Sequence, residues 1–157
     1  MKQKGQTFRD WCEATDNTQY LVKGYDGDID LANTTISSLE GAPEEVQGDF
    51  IIRGCEFLTS LEGGPRKVFG TYDCSDCQNL TSLKGSPTYA GFFNCSNCQK
   101  LKSLEGSPKI VRTFDCTDCI NVKSLKGSPK EVRFEFRCSG TGIETLEGSP
   151  DLIVDAL

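Results

Sequence analysis

The chain has 157 residues, enough for one domain with a sizeable hydrophobic core. Its net charge of −6 argues against a general nucleic-acid-binding protein, which would need a basic stripe. It contains no histidine, so the commonest general base and the commonest metal ligand are both missing.

A short capping helix is predicted near the N-terminus. Residues 7–14 read TFRDWCEA, and in this segment Thr7 and Asp10 have the spacing of a capping box. Phe8, Trp11 and Cys12 are expected to lie on one face of the helix and to cover the first unit of the fold that follows.

We assign residues 1–27 to this N-terminal cap and residues 28–157 to a repetitive region, within a single compact domain. The N-terminal segment has no apolar run typical of a signal peptide, and no segment approaches the length of a membrane span. We therefore expect a soluble cytoplasmic protein whose cysteines are reduced.

The repetitive region is defined by its prolines. All six follow a leucine by four residues, in runs such as LEGSP and LKGSP, at spacings of 21 or 22 residues. A fixed period of this size predicts a solenoid, here with about six coils. Glycine and proline after each leucine predict a turn, so short parallel strands with little helix between them are expected. The prolines are Pro43, Pro65, Pro87, Pro108, Pro129 and Pro150.

The clearest copy of the repeat is Phe69-x-x-Tyr72-x-Cys74-x-x-Cys77-x-x-Leu80-x-x-Leu83. It resembles the leucine-rich repeat, L-x-x-L-x-L-x-x-N/C-x-L. The chain also resembles short-repeat proteins of bacteriophage and bacterial genomes built from F-D-C-S-x-N-x-L-T-S-L-E-G-S-P units. That second resemblance implies a phage or bacterial protein that acts inside the cell as an inhibitor or adaptor of a host component.

Three CxxC pairs, separated by 17 residues, lie in the middle coils. Taken alone, two such pairs match a zinc or iron–sulfur site. In the repeat they occupy two columns in which other coils carry leucine, isoleucine or threonine, which favours a buried ladder of small side chains. We therefore predict no metal and no cofactor, with a thiol-based metal or redox protein as the alternative. The pairs are Cys74 and Cys77, Cys95 and Cys98, and Cys116 and Cys119.

The outward strand positions are mostly acidic and polar, with Phe92 as the large apolar residue among them. Binding sites on solenoids lie on such extended faces. We predict that a protein partner, basic and host-encoded in the simplest case, binds there. The predicted contact residues are Asp28, Asp30, Asp49, Ile51, Arg53, Thr71, Asp73, Phe92, Asn94, Thr113, Asp115, Glu135 and Arg137.

An enzyme is not expected, because the chain has no phosphate-binding glycine loop and no nucleophile elbow. No nucleic-acid or membrane partner is expected either. The C-terminal segment Asp151–Leu157 predicts a last strand with no polar cap, and an uncovered edge of this kind is a candidate homodimer surface.

Overall fold

A computed structural model describes residues 5–152, which form a parallel β-solenoid of about five turns with little helix. The strands are β1 (Gln6–Thr7), β2 (Gly24–Tyr25), β3 (Ile29–Asp30), β4 (Ile36–Ser38), β5 (Glu45–Val46), β6 (Phe50–Ile51), β7 (Lys67–Asp73), β8 (Tyr89–Asn94), β9 (Ile110–Asp115), β10 (Glu131–Arg137) and β11 (Asp151–Leu152). The helices are α1 (Phe8–Ala14) and a 3₁₀ turn (Thr18–Tyr20).

The main sheet is built by parallel pairing of equivalent residues from successive coils. β7, β8, β9 and β10 stack in chain order, so that Tyr72 pairs with Phe93, Phe93 with Phe114, and Phe114 with Phe136. The repeat spacing therefore sets the register, as expected for a chain whose coils cannot bury their inward faces alone. The prolines predicted six coils, whereas the described residues form about five turns. After β10 only the two-residue strand β11 and a single bridge between Ser124 and Thr145 continue the stack.

The predicted capping helix is confirmed. The Asp10 amide donates to the Thr7 hydroxyl at 3.0 Å, and the Thr7 amide donates to the Asp10 carboxylate at 3.1 Å, which completes the capping box. Phe8 and Cys12 are fully buried and Trp11 packs against the same core. The helix thus covers the N-terminal end of the stack, with the Phe8 ring 6.4 Å from that of Phe50.

The core is one continuous cluster that runs through the centre of the coils. Its main feature is an aromatic column in which successive ring centroids lie 5.2–5.5 Å apart. The column contains Phe50, Tyr72, Phe93, Phe114 and Phe136.

Tyr72 is the one member of this column that carries a hydroxyl. Within the described chain, the Tyr72 hydroxyl oxygen is the only buried side-chain oxygen or nitrogen without a hydrogen-bond partner. Its hydroxyl lies beside Gly64, where a Cβ atom would be 3.3 Å away. Other coils have alanine or serine at this position, so the space left by the absent side chain at Gly64 accommodates the extra oxygen.

The turn after each anchor leucine requires glycine for two reasons, which Gly85 illustrates. Its φ of +93° lies in the left-handed region that L side chains rarely adopt. A Cβ atom there would also lie 2.3 Å from the Leu61 carbonyl and the Glu62 amide of the preceding coil. The turn is therefore part of the contact between coils.

The C-terminal end of the stack is open in the described part of the chain. Leu146, the last anchor leucine, is 76% exposed, whereas Leu125 one coil earlier is 5% exposed. Asp151 and Leu152 pair with Glu131 and Val132, as predicted for the last strand. The rest of that predicted strand, residues 153–157, lies outside the described residues, and dimerisation through this edge stays a prediction.

Candidate binding face

The outward positions of the strands form continuous rows across the sheet. The register pairs Asp30 with Ile51, Ile51 with Asp73, and then Asp73, Asn94, Asp115 and Arg137 in order. A second row pairs Thr71, Phe92, Thr113 and Glu135. The structure thus brings together most of the residues that the sequence assigned to one face. We call this surface the strand face.

Asp28 and Asp49 join the strand face through a contact between coils. One Asp28 carboxylate oxygen accepts the Asp49 amide at 2.8 Å, and the equivalent oxygen of Asp49 accepts the Thr71 amide at 2.7 Å. Arg53 follows β6 and its side chain is exposed. The acidic half of the face therefore belongs to the first coils, where Asp28 and Asp30 are also exposed.

Several of the predicted binding carboxylates have a role in the fold that the sequence analysis missed. Asp30, Asp73 and Asp115 each accept the backbone amide two residues later, at 2.8–2.9 Å, and the Asn94 side chain does the same at 3.0 Å. These are Asx turns, which close the end of each strand. The recurrent D-C-S, N-C-S and D-C-T segments were the available signal.

At the β10 end of the strand face, positive and negative side chains pair with each other. Arg137 donates to Glu135 at 2.7 Å and lies 3.7 Å from Asp115, which is only 9% exposed. Its guanidinium also covers the Phe92 ring at 5.8 Å from the centroid, a cation–π contact. Phe92 is consequently half-buried and is not the large exposed apolar residue that the sequence suggested.

The most exposed aromatic residues of the face were not predicted. Phe69 is 45% exposed and Phe134 is 72% exposed, and both line an open cleft of about 300 Å³. They lie where the register shifts, because β7 and β10 contain one residue more than β8 and β9 between the two inward positions. Bulges of this kind redirect side chains and are frequent beside functional sites.

The sequence did contain a signal for these bulges. The interval from proline to the inward aromatic residue is seven residues from Pro65 to Tyr72, but six from Pro87 to Phe93. Comparing this interval between coils identifies the coils that carry an extra residue.

The cysteines form two buried columns, and both columns use the thiol as a hydrogen-bond donor. Cys116 donates forward to the Arg137 carbonyl at 3.4 Å, whereas Cys119 donates backward to the Cys95 carbonyl at 3.0 Å. Each thiol of this CxxC pair thus donates to a different neighbouring coil. All nine cysteines are free thiols, and only Cys138 is partly exposed.

Burial keeps these thiols protonated. It raises the pKa of Cys77 to about 12 and raises the pKa values of Cys98 and Cys116 further. Between Cys95 and Cys119, the side-chain contact raises the pKa of Cys95 and lowers that of Cys119, so Cys119 is the thiol of that pair that ionises first.

Within residues 5–152, no group of three or more cysteine, aspartate or glutamate side chains is arranged to hold a metal ion. The packing explains this arrangement, because the sulfur atoms point towards backbone carbonyls of adjacent coils rather than towards one centre. The CxxC spacing is therefore a consequence of the coil length.

Serine substitution is expected to destabilise the protein more in the column of Cys116 than in the column of Cys119. Cys116→Ser should reduce the free energy of unfolding by about 1–2 kcal/mol, because the shorter side chain leaves a buried hydroxyl beyond good reach of its acceptor, already 3.4 Å from the sulfur. Cys119→Ser should cost less than half as much, since its donor starts at 3.0 Å and the outer coils have Thr34 and Thr141 in this column. Urea unfolding of both variants at pH 7 under reducing conditions measures the difference. Equal losses accompanied by release of a bound metal ion would show instead that the thiols are ligands.

The chain was compared with protein-family models, with curated proteins and with solved structures, and none of them matches it. In the described part of the chain, no helix combines the length and the apolar character needed to cross a membrane.

Proposed function

We propose that the protein is a non-enzymatic binding module of the leucine-rich-repeat type and that it recognises a protein partner through its strand face. The observation that carries the proposal is the exposure of Phe69 and Phe134 on this face, where both line one cleft, whereas the rings of the core column pack against one another. Exposed aromatic residues that are rimmed by charged groups are typical of protein interfaces.

The face offers a partner two different halves. The first coils present the carboxylates of Asp28, Asp30 and Asp49, which fit basic groups of a host protein. The later coils present Phe69 and Phe134 beside the Arg112 side chain. The nine free thiols fit a protein that acts in the reducing cytoplasm, and the repeat resemblance fits a phage or bacterial inhibitor or adaptor.

Partner capture with surface variants tests the proposal. Phe134→Ser is expected to reduce the amount of recovered partner at least about tenfold, the effect of removing an aromatic hot spot. Ile120→Ser is the matched control, because Ile120 is 51% exposed but lies in the turn beyond β9, outside the strand face. The measurement is affinity capture from host lysate with quantitative mass spectrometry.

Charge reversal at Asp73 or Asp115 is a poor test of the same proposal, because both carboxylates hold Asx turns and their loss would disturb the fold. If a partner is recovered equally with wild-type protein and with Phe134→Ser, but is lost with Ile120→Ser, the binding surface is the turn side and the proposal is wrong.

A further inference from the structure

We infer that the cleft between Phe69 and Phe134 is an anchoring site for a peptide segment of the partner in which an aromatic side chain is flanked by carboxylates. The inference rests on the proposed function of the strand face and adds the chemistry of what binds there. The cleft is lined by Phe69, Gly70, Gly91, Phe92, Arg112, Thr113 and Phe134.

Two glycines, Gly70 and Gly91, form part of the lining of the cleft. A Cβ atom on Gly91 would lie 2.5 Å from the Phe69 carbonyl, and one on Gly70 would lie 2.3 Å from the Asp49 carboxylate and 2.7 Å from the Gly48 carbonyl. Close stacking of the coils therefore requires glycine at both positions, which leaves backbone surface in the cleft beside the exposed phenylalanines. Such a surface accepts a planar ring, which gains contact area and offset stacking with the walls.

Arg112 supplies the charge of the cleft. It takes the position in its coil that Gly91 takes in the coil before, and its side chain is exposed. The arginines of the next strand are neutralised, since Arg133 pairs with Glu131 and Arg137 pairs with Glu135. Among residues 5–152, no carboxylate pairs with Arg112, so its fork of N–H donors is available to a carboxylate of the partner.

The size of the cleft favours a peptide segment over a small-molecule cofactor. Its volume of about 300 Å³ lies at the lower end of the range for ligand pockets, and the cleft is open along the face. This is room for one aromatic side chain with its neighbours at the rim. A basic peptide would place its charge against Arg112 and is disfavoured there.

Three matched tripeptides test the inference directly. We expect acetyl-Glu-Phe-Glu amide to shift the backbone amide NMR signals of Gly70, Gly91 and Thr113 in the wild-type protein. Its Kd should be at least about fivefold lower than those of acetyl-Lys-Phe-Lys amide and acetyl-Glu-Ala-Glu amide, which lack the charge match and the ring respectively.

Two arginine variants test whether the preference for the glutamate peptide arises in the cleft. Arg112→Gln should raise the Kd of acetyl-Glu-Phe-Glu amide about fivefold, the upper end for an exposed ion pair, and leave that of acetyl-Lys-Phe-Lys amide unchanged or lower. Arg66→Gln removes an exposed arginine that lies outside the cleft and outside the predicted contact residues, and it should change neither. Each substituted side chain is exposed, so neither variant is expected to disturb the fold. Unchanged chemical-shift dispersion of the other backbone amide NMR signals checks this.

The inference is overturned if the lysine peptide binds as well as the glutamate peptide, if the alanine peptide binds as well as the phenylalanine peptide, or if no shifts localise to the cleft. These outcomes are distinct from failure of the proposed function. A partner that is lost with Phe134→Ser while the tripeptides show no preference leaves the binding face in place and removes only the anchoring site. If the tripeptides bind as expected but partner recovery is unaffected by Phe134→Ser, the cleft is still a peptide-binding site and the strand face is not the surface that binds the partner.

Discussion

Raising the pH from 7 to 10 is expected to cost the folded protein about 5–6 kcal/mol of its free energy of unfolding. Burial raises the pKa values of four thiols of the ladder well above their usual 9.0, to about 12 for Cys77. The four thiols are Cys74, Cys77, Cys98 and Cys116. In the Cys95–Cys119 pair the mutual contact raises one pKa and lowers the other, so the effects of the two thiols on stability oppose each other.

The direction of the effect follows from which state releases protons. Above pH 9 the unfolded chain loses its thiol protons, whereas the folded chain keeps them until the pH approaches the raised pKa values. Stability is therefore complete below pH 9 and falls as the pH rises towards 12. At pH 10 each such thiol contributes a loss of about 1.4 kcal/mol, and the total is comparable to the whole stability of a typical domain, about 5–15 kcal/mol.

Urea unfolding between pH 7 and pH 10.5, with a reductant present, measures this loss. Cys98→Thr provides the control, because threonine occupies the same column in the outer coils and removes one titrating thiol. Between pH 7 and pH 10, the free energy of unfolding of this variant should fall by about 1.4 kcal/mol less than that of the wild-type protein. A midpoint that stays constant from pH 8 to pH 10 would falsify the buried-thiol account.

Gly85→Ala is expected to cost at least about 3 kcal/mol of stability, because two penalties combine at this position. The residue has a φ of +93°, and the added methyl group would lie 2.3 Å from backbone atoms of Leu61 and Glu62, which cannot move without separating the coils. Thermal and urea unfolding measure the loss.

Gly24→Ala is the matched control for this substitution. The nearest atom to its Cβ would be the Glu45 carbonyl oxygen at 4.0 Å, which is an ordinary contact, and its φ lies outside the left-handed region. This variant should be unchanged or slightly more stable, because alanine restricts the unfolded chain. Similar losses from both substitutions would mean that glycine at position 85 has no special role in the contact between coils.

Much of the fold was predictable because the repeat fixes which residues become neighbours. Once the proline spacing identifies the coils, parallel stacking places Tyr72 beside Phe93 and Asp73 beside Asn94, and the structure has both pairs. The capping helix was predictable from Thr7 and Asp10, since its signal is local. The cysteine columns were identifiable from the residues that replace cysteine in the outer coils.

The candidate site was predictable only in part, because its distinctive residues depend on departures from the repeat. Strict alternation along a strand assigns Phe92 to the surface, but Arg137 covers its ring. The extra residues in β7 and β10 expose Phe69 and Phe134, and alternation has no place for a bulge. The roles of the aspartates were hidden for a different reason. The residue type alone does not distinguish an aspartate that closes an Asx turn from an aspartate that is available to bind a partner.

The pairing of Tyr72 with Gly64 limits how this protein can be re-engineered as a set of interchangeable modules. The two residues lie on opposite sides of Pro65, so a unit cut from proline to proline would carry the tyrosine away from the glycine that accommodates its hydroxyl. In a coil that has serine at the position of Gly64, that hydroxyl would meet a Cβ atom about 3.3 Å away. Coils of this solenoid are best exchanged with a boundary before residue 64, so that the compensating pair travels together.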